Sequence, residues 1–114
     1  MTDFDAVFAA LSKLLRKHSS GMSVKTDAPD HLYIEIPGAT PKAKPAFFGA
    51  VQVRKSYVSY HLMPIYEQPA LLDGISDDLR KKMQGKSCFN FSTEDPSLFK
   101  ELDALTSACA ASAR

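Results

Sequence analysis

A two-layer α+β sandwich, with one antiparallel sheet of about five strands carrying its helices on one face, is predicted by three observations. Apolar stripes of helical period open and close the chain, and period-two runs fill its middle. The links between those runs are too short for the crossovers that parallel strands need. With 114 residues the chain has the size of one domain, and residues 1–114 are read as one.

The first helix is marked by Phe4, Val7, Phe8, Leu11, Leu14 and Leu15, spaced three and four apart and therefore on one face. Thr2 with Asp5 approximates a capping box. Asp3 and Asp5 lie at the positive end of the helix dipole, and Lys13, Arg16 and Lys17 at the negative end. Ser19-Ser20-Gly21 ends the helix. Met22 and Val24 then alternate with polar neighbours up to a turn at Asp27–Asp30. In the next strand Leu32, Ile34 and Ile36 point one way, and His31, Tyr33 and Glu35 the other. Pro37-Gly38 stops it, and Ala39 to Pro45, with two prolines and two lysines, reads as an exposed loop. Phe47 to Val53 reads as a mostly buried strand. Arg54-Lys55-Ser56 turns the chain into a further strand from Tyr57 to Met63.

Pro64 to Gly74 reads as irregular, anchored by Ile65, Tyr66, Leu71 and Leu72. Ser76 suits the N-cap of a short helix with Asp77 and Asp78 in its first turn, Ile75, Leu79 and Met83 inward, and Gly85 at C′. Lys86 to Phe91 forms the last strand, with Phe89 and Phe91 on one face. Asp95 caps the closing helix and Pro96 takes its first position; Leu98, Phe99, Leu102, Leu105 and Cys109 mark its inner face. The expected order is α-β-β-β-β-α-β-α.

Composition narrows the function classes. The hydrophobic fraction of 45% and charged fraction of 24% are those of an ordered globular chain. A net charge of +1 supplies no global field for nucleic acid or an anionic membrane. No apolar run approaches the ~18 residues of a membrane span. Met1–Asp5 carries no secretory n-region, and Cys88 and Cys109 form no paired-ligand motif. A cytoplasmic protein with reduced thiols is the expectation.

The run Pro45–Val53, then Tyr57–Leu62, then a charged helix leading into Lys86–Phe91, resembles the YdhG-like domain of unknown function. The resemblance spans residues 30 to 110 by pattern. The glycine and basic residue usual in the last strand are replaced here, and the Gly-Met-Pro motif of many members is absent. Such domains are described as frataxin-like, and the resemblance implies that shape. An iron-handling role, proposed for some members, would want several carboxylates on one ridge. Here Asp3, Asp5, Asp73, Asp77 and Asp78 each suit a helix end instead.

The residues themselves offer one polar-aromatic constellation. Tyr33 and Glu35 share a strand face, as do Tyr57, Ser59 and His61. If those faces coincide, a Glu-His-Tyr group lies opposite the helices, able to act as an acid–base pair or as two metal ligands. A solvated sheet face shows the same alternation without any chemistry. No Gly-x-Ser-x-Gly elbow or phosphate-binding glycine loop is present, so catalysis is not expected. Lys42, Lys44, Arg54 and Lys55, near Tyr57 and Tyr60, could contact single strands. The balanced net charge fits an ordinary surface better, and nucleic acid is not the expected partner. The apolar segment from Pro64 to Leu72, including Tyr66, either covers the core or presents a partner surface or small pocket. The expected function is a non-enzymatic binding or interaction domain for a protein or small ligand, a homodimer included, with no cofactor. Its ligand face comprises Tyr33, Glu35, Tyr57, His61 and Tyr66. Metal handling through Glu35 and His61 is the second reading, and a small enzyme the third.

Overall fold

The opening apolar stripe forms α1, Phe4–Lys17, whose buried side is Val7, Leu11, Ser12 and Leu15. The structure, a computed structural model, describes residues 4–19, 21–36, 46–85 and 87–113. The Thr2 cap, the Pro37–Pro45 loop and its two lysines lie outside the described residues. Arg16 at the end of α1 reaches Asp27 at 2.8 Å, joining the helix to the first strand.

Four strands follow as an antiparallel meander: β1 (Ser23–Ala28), β2 (His31–Ile36), β3 (Ala46–Val53) and β4 (Val58–Leu62). The chain then crosses to the free side of β4, where β6 (Cys88–Phe91) pairs antiparallel, with β5 (Met83–Gln84) outside it. The order across the sheet is β1-β2-β3-β4-β6-β5, all antiparallel. One strand more than expected is present, and Met83 explains it. The Ser76 helix is a single turn, α3 (Asp77–Arg80), so Met83 pairs with Phe89 instead of lying in a helix. Gly85 has φ 77° and serves the β5–β6 turn. A left-handed glycine suits a hairpin as well as a helix end, so the sequence signal was ambiguous. Likewise the segment after β4 is not irregular. It forms α2 (Met63–Glu67), with Pro64 in its first turn, and a 3-10 turn over Pro69–Leu72. Ile65 is fully buried and Leu71 and Leu72 pack on the core, so this segment is core cover.

The core lies between the sheet and its helices. Leu32, Ile34, Val51, Val58, Tyr60, Leu62, Phe89 and Phe91 supply the sheet side. The closing helix α4 (Pro96–Ala113) supplies Leu98, Leu102, Leu105 and Cys109. Asp95 caps it, its Oδ1 accepting the Leu98 N–H at 3.1 Å. Ser76 caps α3, accepting the Leu79 N–H at 3.2 Å while its own N–H and hydroxyl donate to Glu101 of α4. Asp103 of α4 accepts from Lys17 at 2.9 Å and meets the His18 ring. Those two partners, His18 first, hold its carboxyl below the usual range. Tyr60 is wholly buried, so its ring belongs to the core and not to a basic surface.

One irregularity shapes the other face. Ile34 pairs with Gly49 but Glu35 pairs with Phe47, so Phe48 is the extra residue of a β-bulge. Phe48 and Gly49 are both buried, while Phe47 and Ala50 on either side are half-buried. A Cβ at Gly49 would stand 2.9 Å from the His61 carbonyl oxygen and 3.1 Å from Leu15 Cδ1. The bare glycine is what lets α1 lie this close to the sheet. Among the described residues, no helix is long and apolar enough to cross a membrane.

Candidate ligand-binding face

Strand alternation turns Tyr33, Ala50, His61 and Cys88 to the face opposite the core, and register aligns them in one row across four strands. Ala50 brings only a methyl group to this row. The ring of Phe47, turned outward by the bulge, bridges its neighbours. It stacks on Tyr33 with centroids 4.6 Å apart and planes 19° from parallel. It meets His61 edge-on at 5.0 Å. His31 adds an edge contact to Tyr33 at 6.3 Å, and the Lys25 ammonium stands 5.6 Å from the Tyr33 ring centre. A continuous aromatic band therefore crosses three strands.

His61 is the pivot of this face. Its Nε2 lies 2.8 Å from the hydroxyl of Ser87, a buried residue whose carbonyl also accepts the Leu62 N–H at 2.9 Å. Burial lowers the imidazole pKa, because the cation is the form that loses hydration. The unfolded chain then binds the proton more readily than the folded one. The corresponding stability is complete above the ordinary histidine value of 6.5 and is lost as pH falls below it toward the folded value. Urea titrations at about pH 7.5 and about pH 5 should therefore show a larger acid loss for the native chain than for His61→Gln. Equal losses would mean that the ring titrates freely.

Two cavities flank this histidine. The more polar one, of about 290 Å³, is lined by Tyr57, Ser59, Arg54, Gln52 and Asn90 together with His61 and Cys88. The other, of about 310 Å³ and almost wholly apolar, is lined by Met63, Tyr66 and Gly85. They share His61, Gln84 and Cys88. The Asn90 amide donates to Gln84 Oε1 at 2.6 Å, which fixes part of the common wall. Burial pushes the Cys88 thiol up, partly opposed by the Arg54 charge, so its sulfur is a neutral thiol and not a thiolate.

Four of the five predicted residues meet through His61. Tyr57 shares its polar cavity, Tyr66 its apolar one, and Tyr33 reaches it through Phe47. Glu35 occupies the same face, yet register sets it opposite Phe47, and the hydrogen-bond partner of His61 is Ser87. The glutamate–histidine pair is not assembled. Phe47, Cys88 and Gln84 were missed, and Arg54 was read only as part of a basic turn. Phe47 and Cys88 sit in runs apolar enough to read as buried. Arg54 and Gln84 lie beside β3 and in β5, whose placement depends on the bulge and on a two-residue strand. Among the described residues, no three His, Cys, Asp or Glu side chains stand close enough to hold a metal ion. Comparisons with protein-family models, curated proteins and solved structures found no match.

Proposed function

We propose that this chain is a non-enzymatic binding domain of the YdhG-like type that its sequence resembles, and that its helix-free sheet face takes a small ligand with a flat apolar part. The observation that carries this reading is the Tyr33–Phe47–His61 band beside two cavities on the face the helices leave open. Cross-strand aromatic pairs stabilise a sheet by themselves, and a ligand that covers the still exposed parts of these rings would add the burial they lack. An enzymatic reading has less support: His61 is turned to a buried serine, and among the described residues no carboxylate is hydrogen-bonded to its ring. Metal handling lacks the joined Glu35–His61 pair on which it relied. The cytoplasm suits two free cysteines, one of them, Cys109, enclosed in the core.

The test is an NMR titration of the full chain with neutral aromatic fragments. Saturable shifts should concentrate on β2, β3, β4 and β6, and should be lost in Phe47→Ala. Shifts confined to the helices, or an absence of shifts, would overturn the reading.

A further inference from the structure

The two cavities differ in a way that describes their occupant. Among the described residues, Arg54 is the single charged one lining the polar cavity, and no carboxylate lines either. The remaining polar groups there are amides and hydroxyls: Gln52, Gln84, Asn90, Tyr57 and Ser59. Arg54 and Cys88 both line this cavity, and the guanidinium charge acts on the thiol in the direction that favours a negative charge, against the larger effect of burial. His61 adds no countercharge, because burial keeps its ring neutral at neutral pH. One cation among neutral donors matches one anionic group. Guanidinium presents parallel N–H bonds to the two oxygens of a carboxylate. The neighbouring chamber, walled by Met63 and Tyr66, offers apolar surface and the adaptable thioether that suits a flexible chain or ring. Each chamber falls at about the lower end of the size range of ligand pockets, roughly 300 Å³. The two chambers adjoin at His61, Gln84 and Cys88, one with a charged lining residue and the other apolar.

We infer that the adjoining cavities bind a small amphipathic monocarboxylate, its carboxylate on Arg54 and its apolar body between Met63 and Tyr66. This rests on the reading of the open face as a ligand face and adds the charge and polarity of the ligand. A nucleic acid strand, with a charge at every residue, would meet one cation among the described residues that line the two cavities. A polyanion is equally poorly matched.

The experiment titrates the full chain at neutral pH with octanoate, 1-octanol and octylammonium, followed by NMR. Octanoate should bind saturably, shifting Arg54 Nε, the His61 ring and the Met63 methyl. It should bind roughly two- to five-fold tighter than octanol, the gain expected from an ion pair with an exposed guanidinium, with octylammonium weakest. Arg54→Gln should erase that preference without changing the melting temperature, since the side chain is exposed. Arg54→Lys should restore part of it. Equal binding of octanoate and octanol, or a preference that survives Arg54→Gln, overturns the carboxylate assignment. Octanoate shifts that fall away from the two chambers overturn it as well. If octanoate fails while neutral aromatic fragments still bind the band, this inference falls and the ligand-face reading stands. If both fail, both fall.

Discussion

Gly49→Val is expected to destabilise the domain by about 3 kcal/mol, with Gly49→Ala nearer 1–2. Valine is among the best strand formers, so propensity alone predicts the opposite sign by as much as about 1 kcal/mol. Packing decides here. The new Cβ would meet the His61 carbonyl oxygen at 2.9 Å, a backbone atom held in the β3–β4 ladder, and Leu15 Cδ1 at 3.1 Å. The leucine can give way, but the carbonyl cannot move without its strand. Leu15→Ala alone should cost about 2–5 kcal/mol as a core cavity, and in that background the cost of Gly49→Ala should shrink only in part. The same shift should appear in the His61 ring signals, because the obstructed carbonyl belongs to that residue. Urea denaturation measures the first effect and NMR the second. A Gly49→Val chain as stable as the native one would show that α1 does not press on the sheet there.

Thr106→Val should cost about 1–3 kcal/mol, more than the roughly 1 kcal/mol expected for Tyr60→Phe, though both break the same hydrogen bond. The Thr106 hydroxyl donates to the Leu102 carbonyl at 2.7 Å, so at 2.6 Å from the Tyr60 oxygen it accepts. Tyr60→Phe leaves the threonine with its donor bond intact. Thr106→Val leaves a fully buried phenol, its pKa raised chiefly by that burial, with a proton and nothing to accept it. The double variant should be about as stable as Thr106→Val or more so, since no orphan donor remains. Urea midpoints of the three variants decide this. A Tyr60→Phe chain less stable than Thr106→Val would reverse the donor assignment.

The two long helices were legible because their apolar spacing, caps and first-turn proline act locally. Asp95 and Pro96 start α4 as their chemistry requires. The alternation of β2, β4 and β6 was legible for the same reason: a residue in a strand knows its face from its neighbours. Ser12 shows the limit of such patterns. It is buried on the inner side of α1 with no hydrogen-bond partner, a place its side chain does not announce.

By itself, then, the sequence determined the fold class and the strand faces, with Tyr33 and Glu35 sharing one face and Tyr57 and His61 another, and left open whether those faces meet. Only the tertiary structure decided how the common surface is built. The bulge at Phe48 turns Phe47 outward between Tyr33 and His61, and the register sets Glu35 apart from His61. The crossing of the chain to the far side of β4 brings Cys88 beside His61 and Gln84 to the wall of both cavities. The physical reason is one of range. Caps and periodicity are settled within a few residues, whereas a bulge, a register and a strand order are settled by which distant side chains pack together.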